Sequence, residues 1–308
     1  MLVIVLLVLA ISGCTEKEQS GKGHSVDEIK TLSVSSADNL STYSLRQSIN
    51  QFLKYNAPGS NETKGNLTTI METVASVNLT SYKAMSNGSI KSILEIPGTA
   101  GNTSLSLIAA YQVGNLTYVI ENGKWISLRD TRPTEAIWER GNGSQVKALA
   151  EKANQSQVEI VGSEKIGGED AYELKISSAR DDYHDLNETA YSIAAKLINN
   201  PMLVPSINTT ELNKTSRLEK LVWISKEAYL PLKYYSSMSF KMTPVIVESR
   251  DAATGRMTRL NQPVRLGEIS VDLVTTDLYQ DFNQPVEIKL PEDLKAATVN
   301  PTQLQVAS

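Results

Sequence analysis

The chain has 308 residues, with 30 Lys and Arg against 34 Asp and Glu, a formal net charge of −4, 41% hydrophobic residues and 21% charged ones. This globular composition excludes wholesale disorder and a collagen-like rod, and a mildly acidic chain with no Lys/Arg run longer than two argues against a nucleic-acid partner. Two histidines and one cysteine allow no intrachain disulfide and leave almost no ligands for zinc, haem or iron–sulfur clusters, so no cofactor is expected.

Residues 2–11 form one uninterrupted apolar run, followed by Ser12, Gly13 and Cys14. Ten apolar residues span about 15 Å of helix, half a bilayer core. The run therefore reads as the apolar region of a signal peptide over residues 1–13, not as a membrane span. The small pair before the only cysteine resembles a lipobox, which makes Cys14 the lipidated first residue of the mature chain and a plain secretory signal the other reading. Residues 14–30 are polar and read as a tether that includes His24.

A second address signal is Asn-X-Ser/Thr, which occurs twelve times, at Asn39, Asn61, Asn66, Asn78, Asn87, Asn102, Asn115, Asn142, Asn154, Asn187, Asn208 and Asn213. The 20 asparagines and 57 serines and threonines would give roughly four by chance, so the excess suggests N-glycans on an extracytoplasmic surface. Lipobox and sequons together point to an archaeal cell surface.

The dominant periodicity along the chain is two. Tyr43, Leu45, Ile49 and Leu53 alternate with polar residues, as do Leu105, Leu107, Ala109, Tyr111 and Val113. Residues 118–129 read as a hairpin turning at Asn122-Gly123, and 158–176 as a strand pair turning at Gly167-Gly168 with Tyr172, Leu174 and Ile176 facing inward. Further strands are predicted over 218–225, at Leu232 to Met242, at Ile269 to Thr275, and at Val286, Ile288 and Leu290 before Pro291. Residues 241–266 read as a polar, turn-rich insertion, and 295–308 as a flexible tail. Helices are predicted over 26–39, with Ser25 and Asp27 as caps, over 145–154, and over 182–199, where Ile193, Ala194, Leu197 and Ile198 form one stripe. The fold class is therefore mainly β (α+β): a large antiparallel sheet over residues 31–294 with few helices to cover it.

Catalytic signatures are missing: no Gly-x-Ser-x-Gly, no phosphate-binding glycine loop, no His-Glu-x-x-His. Asp181, Asp182, His184, Asp185 and Glu188 could hold a divalent cation, or simply compensate a helix dipole as a solvated acidic turn, and no metal is assigned. Trp125, Trp138 and Trp223 are candidates for core or for a ligand pocket. A wide sheet with few helices leaves apolar area that needs a second layer or a hydrophobic ligand.

The segments 158–176 (VEIVGSEKIGGEDAYELKI), 221–233 (LVWISKEAYLPLK) and 277–294 (DLYQDFNQPVEIKLPEDL) resemble, in order and spacing, the strand pairs and closing strand of LolA/LppX-like lipoprotein carriers. The likeness covers roughly residues 30–294. It implies an antiparallel half-barrel whose concave face, closed by helices, holds acyl chains. Such relatives carry lipoproteins or glycolipids, and an RseB-like branch senses them while regulating a membrane partner. The expectation is thus a membrane-anchored surface lipoprotein, not an enzyme, that binds a lipid or other hydrophobic ligand. Leu232, Tyr234, Met238 and Phe240 with Ile193 and Leu197 are its candidate lining. The competing expectation is a non-carrier sensor or scaffold that contacts another envelope protein.

Overall fold

The computed structural model describes residues 24–56, 58, 63–121, 124–139, 144–177, 179–198, 200, 202–250, 254, 256–292, 294 and 298–300. The expected signal peptide, Cys14, Asn61, Asn142 and the Asn122-Gly123 turn lie outside them. Helix α1 (Val26–Asp38) starts inside the residues expected as tether, because Ser25 and Glu28 form a capping box that satisfies the first free amides. His24 joins it, its ring 5.5 Å from that of Tyr229 and 3.8 Å from the Glu28 carboxylate.

Six strands follow: β1 (Thr42–Asn56), β2 (Thr63–Asn78), β3 (Lys83–Glu95), β4 (Asn102–Val113), β5 (Leu116–Glu121) and β6 (Lys124–Arg129). Short helix α2 (Thr134–Glu139) and helix α3 (Gln145–Gln155) lead into the hairpin of β7 (Gln157–Ile166) and β8 (Glu169–Ser177), which turns through Gly167 and Gly168 at φ of 60° and 93°. Helix α4 (Ala179–Ile198), strand β9 (Leu203–Ser206) and helix α5 (Thr209–Thr215) come next. The chain then runs through β10 (Arg217–Ser225), β11 (Pro231–Met242), β12 (Val245–Arg250), β13 (Met257–Arg265), β14 (Ile269–Gln280) and β15 (Thr298–Asn300).

Twelve strands make one sheet in the order β15-β6-β5-β4-β3-β2-β1-β14-β11-β10-β8-β7, antiparallel throughout except for the parallel β15–β6 contact. Its two ends, β15 and β7, are not paired with each other, so the sheet is open. The long alternating segments explain this. Each strand of period two can bury only one face, and neighbours are joined mostly by tight turns, which dictate an antiparallel meander. At Gly88 in β3 an added Cβ would lie 2.1 Å from the Glu72 carbonyl oxygen and 2.5 Å from the Thr73 side chain. Only glycine fits this approach.

The helices pack on that inner face in two groups. Helices α1, α2 and α3 bury Ile29, Ala37, Trp138, Val146 and Leu149 against Tyr43, Leu45, Leu174, Ile176, Val222 and Ile224. Helices α4 and α5 bury Leu186, Ala190, Ile193, Ala194 and Leu212 against Leu53, Met238, Phe240, Met242, Ile269 and Val271. Each such aliphatic or aromatic side chain contributes about 1.5–3 kcal/mol.

Three regions differ from the sequence expectations. Residues 241–266 are not irregular: β12 and β13 form a hairpin that pairs with β9 as a separate three-stranded sheet, an excursion from the otherwise continuous β11–β14 pair. Val286, Ile288 and Leu290 form no strand; the segment lacks ladder bonds, and Val286 and Ile288 instead pack on the outer face against Tyr111 and Trp125. Within the segment expected as tail, residues 298–300 pair with 126–128 of β6.

Candidate functional site

Strand register assembles a cleft from residues far apart in sequence. One inner-face row runs Leu45–Ala75–Ser86–Ala110 across β1 to β4, and the next runs Tyr43–Val77–Ala84–Gln112–Thr117 across β1 to β5. These nine residues floor a cavity of about 300 Å³, which Gln145 of α3 closes on one side. That volume stands at the lower end of the ~300–1,000 Å³ usual for small-ligand sites. The space exists because three of the floor positions carry alanine and one carries serine. The helices deliver large side chains that fill the layer over β1, β8, β10, β11 and β14.

Tyr43 sits at the junction of cleft and core. It is buried, and its hydroxyl oxygen accepts a 3.1 Å hydrogen bond from the Gln145 amide, one of the first-turn amides that α3 leaves without a helical partner. Burial pushes the Tyr43 phenol up to about 12, against the opposing pull of the Gln145 amide, so it stays protonated at any ordinary pH. The cleft therefore presents hydroxyl, amide and apolar groups, and no carboxylate or ammonium group among its described lining residues.

A polar band crosses the same face next to the cleft. Lys220 of β10 is buried and grips two carboxylates of α4, Asp182 at 2.8 Å and Asp185 at 2.6 Å, while Lys152 of α3 reaches Asp185 at 3.2 Å. Burial disfavours the charged forms of Asp185 and Lys220, but their mutual hydrogen bonds and charges outweigh it. Asp185 is held below the usual carboxylate range and Lys220 above the usual lysine value. Further along, Asp277 of β14 accepts from Gln47 Nε2 at 2.9 Å and lies 3.4 Å from the Tyr279 hydroxyl. Burial raises its pKa despite these bonds. Burial also raises the phenol of Tyr234, which stands opposite Asp277.

The structure distributes the expected ligand-lining residues differently from a single pocket wall. Met238, Phe240 and Ile193 do come together, but as tightly packed members of the α4–α5 cluster, Phe240 only 2% exposed. Tyr234 borders the other helical cluster and the polar band. Leu232 lies under Trp223 and Ala171 in a separate cluster, because the β10–β11 register shifts between Trp223 and Ile224. Leu197 is 43% exposed on the far side of α4. None of the six lines the cleft. The cleft floor depends on β2 and β3, which no clear alternation announces: Ile70 and Val74 place apolar residues on the outer face among the inner ones. The signal available was the alanine and serine spacing at Ala75, Ala84, Ser86 and Ala110, which reads as nothing until the strands are in register.

Of the tryptophans, Trp138 is core and donates its indole N–H to the Gly114 carbonyl at 2.8 Å, Trp125 packs on Tyr111 on the outer face, and Trp223 lies beneath the Lys233 ammonium. Of the acidic residues at the start of α4, Asp182 and Asp185 are bound by lysines, and Glu188 lies 3.3 Å from the ring of the exposed His184. Among the described residues no group of three His, Cys, Asp or Glu side chains forms a metal-binding set. Of the sequons, Asn39, Asn87, Asn102, Asn154, Asn208 and Asn213 are exposed. The side-chain amides of Asn39, Asn78, Asn115 and Asn187 are engaged with the backbone carbonyls of Ser35, Val286, Asp130 and Tyr183. No helix among the described residues is long and apolar enough to cross a membrane.

No family model and no curated protein matches the chain. Among solved structures it is similar to LprF from Mycobacterium bovis, at 14% identity over 86% of this chain and 96% of that one, with a TM-score of 0.38. It is similar to the lipoprotein LppX of Mycobacterium tuberculosis at 11% identity over 86% and 98% of the two chains, TM-score 0.34. A third likeness, to a DUF1329 family protein from Desulfovibrio piger, has 10% identity over 86% and 95%, TM-score 0.21.

Proposed function

We propose that the chain is a cell-surface lipoprotein, anchored through Cys14, that holds a hydrophobic ligand of acyl-chain type in the Tyr43–Ala110 cleft and performs no catalysis. The observation that carries this reading is the cleft itself, a space on the sheet's inner face, bounded on one side by Gln145, that small residues leave unfilled beside the helical clusters. Burial of alkyl chain supplies the affinity, about 0.8 kcal/mol per methylene, so eight methylenes contribute roughly 6 kcal/mol before the losses of association. The uncharged lining suits such a ligand, and the apolar run ending in Ser12-Gly13-Cys14 suits a lipid anchor. Filling the floor tests it. Ala84→Trp and Ala110→Trp should each weaken retention of a fluorescent fatty-acid probe at least tenfold with an unchanged circular dichroism spectrum, while Thr103→Trp on the outer face should leave it unchanged. Equal probe affinity in wild type and both cleft variants would overturn the proposal.

A further inference from the structure

The outer face of the sheet carries a furrow of about 500 Å³, separate from the inner-face cleft and the helical clusters. Strand register builds its walls from two adjacent outer rows, Arg46–Val74–Asn87 on one side and Glu72–Ser89–Leu107 on the other, with the Gly88 backbone between them. Asn87, Gly88 and Ser89 form one of the twelve Asn-X-Ser/Thr sequons, and the alternation of β3 sends the Asn87 and Ser89 side chains to the same face. Asn87 is exposed, and its side-chain amide, unlike those of Asn39, Asn78, Asn115 and Asn187, hydrogen-bonds no described residue. Among the described residues the Arg46 and Glu72 side chains likewise have no partner. Val74 and Leu107 are 51% and 81% exposed. The furrow thus presents a cation, an anion and two apolar side chains beside a sequon.

We propose that Asn87 carries an N-linked glycan whose first sugars lie in this furrow. The chemistry of the walls points to such an occupant. A sugar ring presents hydroxyls around its rim and C–H groups on its faces. Arg46 donates to those hydroxyls and Glu72 accepts from them, while Val74 and Leu107 cover C–H surface. The volume falls within the ~300–1,000 Å³ usual for small-ligand sites. Because the sugar is attached at the furrow's own wall, the contact is intramolecular, and an effective concentration in the millimolar range lets individually weak contacts hold it. The linkage needs one co-reactant, a glycosyl phosphate brought by a separate transferase. The bond from its anomeric carbon to the phosphate oxygen breaks, and the phosphate leaves with that electron pair. The carbon bonds Asn87 Nδ2, which releases one of its two amide protons to solvent.

Trypsin isolates the site as the peptide Ala84–Lys91, which holds no other sequon. In the full chain purified from its own cells, mass spectrometry of this peptide should show a sugar mass on Asn87, lost in both Asn87→Gln and Ser89→Ala. Coverage of the furrow is read at a thiol, mapped to its own peptide. Leu107→Cys should react with a maleimide at least tenfold more slowly in the glycosylated chain than when Ser89→Ala is added. Val264→Cys, at a 51% exposed position of β13 outside the furrow, should react at the same rate in both backgrounds. Where Ser89→Ala fails to fold, Asn87→Gln supplies the same comparison. An unmodified Ala84–Lys91 peptide would overturn the proposal, as would equal labelling of Leu107→Cys with and without the glycan.

Discussion

Asp277 shows what a single titratable residue contributes in the inner layer. It is 7% exposed, and its carboxylate accepts from Gln47 and Tyr279. Burial raises its folded-state pKa above the unfolded value near 3.9. The native state therefore holds the proton more tightly than the unfolded chain, and the stability this supplies is complete below the unfolded pKa and lost as pH rises through the folded one. Asp277→Asn, which keeps an oxygen for Gln47, is accordingly expected to raise the melting temperature at pH 7, with the gain shrinking toward zero near pH 3. Thermal melts across that range check it. Tyr43 acts differently. Its phenol does not titrate in the working range, and its role is the bond to the Gln145 amide. Tyr43→Phe should lower stability by about 0.5–1.5 kcal/mol in urea titration, the ordinary net value of one hydrogen bond.

At the scale of elements, α4 and β11 illustrate how far periodicity reaches. Phe240 and Leu197 both belong to clean apolar stripes, yet Phe240 is wedged among Ile193, Met238 and Val271 while Leu197 faces water. Phe240→Ala is expected to cost about 3–5 kcal/mol and Leu197→Ala less than about 0.5 kcal/mol, again by urea titration. Placing a charge at Phe240 would unfold the domain and not report on a ligand. Strands β1, β11 and β14 were legible because their apolar residues alternate along the buried face, whereas the alternating Leu105 and Leu107 of β4 lie exposed on the outer face and β10 buries residues of both faces. Strands β2 and β3 were not, since the outer face also carries Ile70, Val74 and Ile93 and the alternation blurs. The alternation of Val286, Ile288 and Leu290 is real but belongs to an extended segment bracketed by Pro285 and Pro291. It inserts side chains into the Tyr111 cluster without joining the ladder. Strand β9 and the β12–β13 hairpin are stabilised mainly by one another, so neither segment announces the sheet alone.

For the whole molecule, the open antiparallel sheet with helices on one face was legible from strand count and sparse helices, while the position of the cleft was not. A large residue in a strand declares its wish for burial. An alanine does not declare whether a neighbour fills the space beside it, and only the register across five strands decides that for Ala75, Ala84 and Ala110. The central claim, a hydrophobic ligand held in that cleft, is tested most directly by native mass spectrometry of the chain purified from its own membrane, followed by organic extraction of whatever dissociates. The expected result is an acyl-chain species at near-unit stoichiometry that is absent from Ala84→Trp and Ala110→Trp. A clean protein mass for the wild type, unchanged after incubation with membrane lipid extract, would contradict it.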